Sequence, residues 1–218
     1  NSCQICNVPN QVVVHPAVAD ELTVRLTTAL EGIRPGFPDE PGVVLTPVLG
    51  VDWFFGCLSE ALSQGARLLC GGHRLEVDGT ASDTGFFVEP TIVRVEGLRD
   101  ARSLSVVRDE TFFPLLPIIV PEAKSDDDLL GEVLWFVNSN AYGLRNSVWS
   151  TGTETIRRFL DGITNGGNLK INDSHSGFVP FLPNQGGTGV TGGVFGEANH
   201  PMLRTTHAQG VSMIHPTN

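Results

Sequence analysis

The sequence predicts an α/β fold, a mostly parallel sheet flanked by helices. Three observations predict it. Short apolar runs rich in β-branched residues alternate with segments whose apolar residues return every three or four positions, the two periodicities of strand and helix. That alternation persists along most of the chain, as it does where parallel strands are joined through helices. Gly and Pro clusters mark the points at which one pattern gives way to the other.

Residues 11–15 read as a short buried strand with three consecutive Val. Pro16 then opens a helix, where its fixed φ is suited to the first turn, and Val18, Leu22, Leu26 and Leu30 mark the inner face. Gly32 and the Pro/Gly-rich residues 35–42 end it. A second helix is predicted over 52–64, with Leu58, Ala61 and Leu62 inward, followed by a strand at 66–70 that stops at Gly71-Gly72. Residues 78–85 are polar and loop-like. Residues 86–95 are extended, with Pro90 arguing against a regular central strand, and 112–120 form an irregular extended segment because of Pro114 and Pro117.

Ser125 followed by Asp126-Asp127-Asp128 is a helix start, a capping hydroxyl with acids at the positive end of the dipole. Leu129, Leu130, Val133, Leu134 and Val137 supply its buried face. A strand at 146–150, a helix at 153–160, a strand at 169–172 and a last strand at 210–215 complete the pattern. Residues 177–196 are Gly-rich without periodicity and read as a long loop, a kind of segment that often carries function.

Composition narrows the function classes. Hydrophobic residues make up 40% of the 218, enough for a packed core and too many for a disordered chain. A formal charge of -10 argues against nucleic acid, whose phosphates select basic surfaces. No run approaches the roughly 20 apolar residues that span a bilayer, so no membrane partner is expected. The start, Asn1-Ser2-Cys3-Gln4-Ile5-Cys6, is neither a signal peptide nor a basic targeting segment and has no initiator Met, which suggests a fragment or a processed product. Four widely spaced Cys do not form a disulfide framework, so a reducing compartment, the cytoplasm, is expected.

The candidate chemistry begins at Cys6. A thiolate is both nucleophilic near neutral pH and a workable leaving group from a thioester. Gln-Ile-Cys alone is a weak signal, and a buried structural Cys is the ordinary alternative. Cys3 and Cys6 also make a Cys-x-x-Cys pair. It precedes a strand instead of opening a helix after one, as a thioredoxin-like motif would. The six His are scattered, and neither Cys57 nor Cys70 belongs to a second ligand pair, so no metal site is expected.

Collinear motifs add a resemblance. Asn1-Ser2-Cys3-Gln4-Ile5-Cys6 resembles the Asn-x-Gly-Gln-x-Cys nucleophile segment of the aldehyde dehydrogenases, with Cys3 in place of Gly. Gln64-Gly65-Ala66 through Gly71-Gly72 resembles their helix–strand–Gly-Gly unit, and Gly85-Phe86-Phe87-Val88-Glu89-Pro90-Thr91 their Gly-Tyr-Phe-x-x-Pro-Thr segment. Asp109-Glu110-Thr111-Phe112-Phe113-Pro114 resembles Glu-Glu-x-Phe-Gly-Pro, with Phe113 in place of Gly, a change expected to crowd a cofactor. Asn138 with Ala141-Tyr142-Gly143-Leu144, and Asn168-Leu169-Lys170-Ile171-Asn172, follow in the family's order. Pro180-Phe181 matches the start of a Pro-Phe-Gly-Gly turn, in which Leu182-Pro183 replaces the glycines.

The resemblance implies an NAD(P)-dependent enzyme that oxidises a small-molecule aldehyde to an acid through a thiohemiacetal and a thioester on Cys6. It implies that Glu110 binds the nicotinamide ribose of NAD or NADP, that Phe112 packs near the nicotinamide, and that Asn172 and Phe181 lie at the substrate tunnel. It places the cofactor domain, the general-base Glu and an oxyanion-binding Asn upstream of Asn1, so the 218 residues alone are expected to be inactive. A non-catalytic remnant or interaction module and a coenzyme A-acylating enzyme are the alternatives. The implied organisation is a partial catalytic domain over 1–209 and an oligomerisation strand and tail over 210–218, in a homo-oligomer.

Overall fold

The computed structural model describes residues 1–122, 124–175, 187–192, 207 and 209–214. The chain divides into two compact units, Asn1–Ala123 and Lys124–Asn218. Each has its own sheet.

The first unit runs β1 (Val12–Val13), α1 (Pro16–Leu30), α2 (Val51–Ser63), β2 (Arg67–Cys70), β3 (Arg74–Leu75), β4 (Phe87–Val88), β5 (Thr91–Glu96), α3 (Leu98–Ser103), α4 (Ser105–Arg108) and β6 (Leu115–Val120). Its main sheet has the order β1-β6-β5-β2, parallel except for the antiparallel β2–β5 pair. β3 and β4 form a separate antiparallel pair. Val14, Ala19, Ile92, Ile118 and Val120 make one core cluster, onto which Leu22, Leu26 and Leu30 of α1 pack.

The inner faces of α1 and α2 differ from the sequence reading. Val18 is exposed, and Ala19 is fully buried in its place. A step of four residues overshoots a helical turn by about 40°, so a row of i+4 positions drifts around the helix, and Val18 falls off the stripe that Leu22 and Leu26 define. On α2, Leu62 is exposed while Phe54, Cys57, Leu58 and Ala61 are buried, the i, i+3, i+4, i+7 pattern of a single face.

Both proline-containing segments hold regular central strands. Pro90 separates β4 from β5, and β5 then pairs along its whole length. Pro117 lies inside β6, opposite Val93. Thr91 N–H donates to Pro114 O and Gly97 N–H to Val120 O, so the even-numbered residues of β6 face β5. Val14 N–H donates to Ile119 O, so the odd-numbered residues face β1. The nitrogen of Pro117 therefore points to the β1 side, just before that short strand begins opposite Ile118, and no ladder bond is lost. Gly71, at φ +77°, packs where an added Cβ would collide with Pro90 O, which gives the Gly-Gly stop after β2 its physical reason.

The second unit runs α5 (Asp126–Asn138), β7 (Tyr142–Gly143), β8 (Arg145–Val148), α6 (Thr153–Gly162), β9 (Asn168–Ile171), β10 (Thr188–Gly189) and β11 (Gly210–Met213). The Ser125 hydroxyl caps α5 by accepting from Asp128 N–H at 3.2 Å. Phe136, which the sequence reading left off the buried face, is buried with Leu129, seven positions earlier. β8, β9 and β11 form a parallel sheet in the order β11-β9-β8, and β7 pairs antiparallel with β10. One face of the three-stranded sheet presents Leu169 to Phe159 and Ile163, with Leu134, Val137, Val148 and Leu160 against them. The last strand, expected as an oligomerisation strand, is paired with β9 of its own chain and forms an edge of its sheet.

Candidate active site

The site is built on the segment before β1. Residues 1–4 close a turn through Gln4 N–H to Asn1 O at 3.1 Å, and residues 5–8 close a second through Val8 N–H to Ile5 O at 3.3 Å. Ser2 and Cys3 both take left-handed backbone angles, φ 49° and 59°. Cys3 thus occupies, with a side chain, a conformation that glycine adopts freely, which explains the family's Gly at this position.

Two side chains fasten this double turn to residues 46–49. The Ser2 hydroxyl accepts from Thr46 N–H and donates to Thr46 O, both at 2.8 Å. The Gln4 amide donates to Pro47 O at 2.8 Å and accepts from Leu49 N–H at 3.2 Å. Ser2 carried no signal in the sequence, because the pattern leaves its position unspecified. Gln4 was legible as a motif residue, and the structure gives it the role of a clamp.

Cys6 is the exposed cysteine of the four. Cys57 lies on the buried face of α2, and burial, reinforced by Glu60 and Asp109, pushes its thiol up to about 11. Burial also raises the thiols of Cys3 and Cys70. A thiol held protonated by burial is a poor nucleophile. Among the four cysteines Cys6 alone is exposed, on the turn next to the clamped one.

The clamp leads on to Glu110 and Phe112. Leu49, bonded to Gln4, directly precedes Gly50, the N-cap of α2. Trp53 and Phe54 of that helix hold the Phe113 ring edge-to-face, at centroid distances of 5.2 and 5.6 Å. Phe113 is 2% exposed, whereas the neighbouring Phe112 is 37% exposed. Phe113, which stands where the resembled motif has Gly, is turned into the core, while its neighbour Phe112 is exposed. Glu110 itself is half-buried. Ser105 N–H donates to Glu60 of α2 at 2.9 Å and fixes the preceding α3–α4 segment, which the sequence reading left without helices.

Asn172 lies in the second unit. It has a left-handed φ of 52°, and its side chain pairs with Ser150 at both ends, accepting from Ser150 N–H at 2.8 Å and donating to Ser150 O at 2.9 Å. That amide is committed to holding the end of β9 against the segment after β8. Phe181 lies outside the described residues. The polar face of the same sheet carries a charge cluster that sequence reasoning missed. Buried Lys170 pairs with Asp173 at 3.1 Å and donates to Ser174 O, and Ser212 of β11 donates to Asp173. His175 contacts the Ser147 hydroxyl at 2.7 Å. Among the described residues no group of His, Cys, Asp and Glu is arranged to hold a metal ion, and no helix is long and apolar enough to cross a membrane.

The first unit thus sets an exposed thiol on a clamped double turn ahead of a mostly parallel sheet. Comparison with known proteins gives the family. The family model described as the aldehyde dehydrogenase family matches residues 1–205, and the chain belongs to that family. Chloroplastic betaine aldehyde dehydrogenase of Beta vulgaris is 32% identical over 179 residues, covering 81% of this chain and 33% of that protein. Peroxisomal aminoaldehyde dehydrogenase 1 of Pisum sativum is 30% identical over 179 residues, with the same coverage of 81% and 33%. The chain thus spans about a third of the length of these relatives. Among solved structures, 3,6-anhydro-L-galactose dehydrogenase in complex with NAP is similar at a TM-score of 0.66 and 27% identity, over 87% of this chain and 39% of that one. Succinate-semialdehyde dehydrogenase from Burkholderia pseudomallei shares the fold at a TM-score of 0.72 and 24% identity, over 86% and 36%.

Proposed function

We propose that this chain is the catalytic portion of an NAD(P)-dependent aldehyde dehydrogenase, with Cys6 as its nucleophile. The observation that carries the reading is the exposed Cys6 thiol on a turn held by Ser2 and Gln4, in a chain of this family. The clamp fixes the backbone, so the sulfur is presented to an incoming carbonyl with little reorganisation. In the proposed reaction the Cys6 thiolate attacks the aldehyde carbon to give a thiohemiacetal, and the Cys6 backbone N–H helps to hold the oxyanion. Loss of hydride converts this to a thioester, whose hydrolysis frees the acid and returns the thiol.

NAD or NADP supplies the hydride acceptor. What supports a fit to that group is that Phe113 packs into the core and not beside the exposed Phe112, whose ring offers an apolar face, and that a carboxylate such as Glu110 can accept two hydrogen bonds from a ribose diol. Asn172 acts as a support for the substrate side through Ser150, and Phe181 is its proposed apolar wall. The proposed organisation is a catalytic domain over 1–209 with 210–218 as an assembly strand and tail, working as a homo-oligomer. Four free thiols fit a reducing compartment such as the cytoplasm.

Limiting iodoacetamide, with sites mapped by mass, tests the assignment. Cys6 is expected to label first, and a small aldehyde is expected to slow that labelling by reversible addition to the thiol. Preferential labelling of Cys57 or Cys70, or no protection by any of a panel of aldehydes, would overturn it.

A further inference from the structure

We propose that Cys3 and Cys6 form a reversible disulfide when a peroxide oxidises Cys6, so that Cys3 rescues the exposed thiol before it is over-oxidised. Only Gln4 and Ile5 separate the two. They hang from consecutive turns closed at Gln4 N–H and Val8 N–H, and the chain bends at Ile5, between them. The Ser2 and Gln4 clamps hold this double turn in place, which keeps the second thiol local to the first. Cys57 and Cys70 are fixed in α2 and β2 instead. Cys3 also occupies a left-handed position where the resembled motif has Gly, so this thiol stands at a site whose backbone favours glycine.

The chemistry balances with one peroxide. The Cys6 sulfur attacks the O–O bond of hydrogen peroxide, takes one oxygen as a sulfenic acid and releases the other as water. The Cys3 sulfur then attacks the Cys6 sulfur, the S–O bond breaks, and the hydroxyl leaves as a second water with the Cys3 proton. Two thiols lose two electrons and two protons, and the peroxide gains them. A thiol reductant reverses the step. The step requires that Cys6 be accessible and that the Cys3 thiol, which burial holds protonated at rest, turn toward it and give up its proton. It stands or falls independently of whether Cys6 attacks an aldehyde.

Mass mapping after graded hydrogen peroxide tests it. The tryptic peptide ending at Arg25 holds Cys3 and Cys6 and neither of the other cysteines. It is expected to become lighter by two hydrogens and to regain both alkylatable thiols completely with dithiothreitol. In Cys3→Ser and in Cys3→Gly, which restores the family's residue, the same dose is expected to add oxygen to Cys6 and to abolish most of the recovery. Oxygen addition to Cys6 in the unaltered chain while Cys3 still alkylates would overturn the proposal. So would a bridge to Cys57, to Cys70 or to a second chain, or variants that recover as well as the parent.

Discussion

The Ser2 hydroxyl and the backbone of Thr46 satisfy each other twice, through a 2.8 Å bond from Thr46 N–H and a 2.8 Å bond to Thr46 O. A single buried side chain thereby pins the turn just ahead of the one that bears Cys6 to a segment more than forty residues away. Ser2→Ala removes both bonds and leaves the Thr46 amide without its acceptor. The expected cost is about 1–3 kcal/mol, read as a lower urea midpoint. Cys6 alkylation should also become less selective as the turn loosens, and an unchanged midpoint would remove Ser2 from the clamp.

At Cys3, the left-handed backbone sets an order of stability. Cys3→Gly relieves the Cβ contact and is expected to equal or exceed the parent chain. Cys3→Val places a β-branched side chain at φ 59° and is expected to lose about 1–3 kcal/mol. Thermal unfolding of the two variants gives the comparison. A valine variant as stable as the glycine variant would mean that the turn changes conformation.

Phe113 packs against Trp53 and Phe54 of α2, while the neighbouring Phe112 is exposed. Phe113→Ala removes two edge-to-face contacts and opens a cavity in the core, at an expected cost of about 3–5 kcal/mol. Phe112→Ala removes an exposed ring and is expected to change stability by less than about 1 kcal/mol. Denaturant curves of both variants separate the core residue from the surface residue.

The His175 ring is pushed down to about 4, first by burial and then by Lys170 and Arg145, while Asp173 pulls it the other way. Its unfolded value lies near 6.5. Between these values the unfolded chain binds more protons than the folded one, so stability falls as pH is lowered from about 6.5 to about 4 and this contribution levels off below. Asp173 adds an acid-side loss. Its carboxyl is held below its ordinary value by the bonds from Ser212 and Lys170, and protonating it at still lower pH weakens the second unit further. His175→Gln is expected to flatten the slope above pH 4 and leave the loss at lower pH in place. Urea midpoints across this range measure both.

The C-terminal strand makes a fifth test. A chain ending at Gln209 loses the β11–β9 ladder and the Ser212–Asp173 bond. It should be less stable, and light scattering should show reduced self-association if Val211 and Met213 on that edge strand join copies. Equal scattering from both chains would assign β11 to the fold alone.

Elements with strong local signals were legible in the sequence. Pro16 at a first turn and Ser125 ahead of three acids placed α1 and α5 directly. The identity of the inner faces was harder to read, since Val18, Ala19 and Phe136 are distinguished only by which side of a helix meets the sheet. The prolines misled for a related reason. Whether Pro117 breaks a ladder depends on the length of its neighbour β1, which the sequence of β6 does not contain. The site divided in the same way. Cys6, Glu110 and Phe112 lay within short motifs, whereas the Ser2–Thr46 pairing is long-range and leaves no periodic trace. Asn172 was visible as a residue, and its attachment to Ser150 became apparent only once two strand ends were brought together.

Pro117 also bears on the thiol. If β1 were to zip further toward the N-terminus in the same register, the next rung would need an N–H at position 117 to reach Asn10 O. That hydrogen does not exist in proline. The ladder cannot creep into residues 7–10 and draw the turn of Cys6 into the sheet. A ring on one strand thus sets the border of a neighbouring loop, and substitutions at Pro117 should be judged by how far they let that border move.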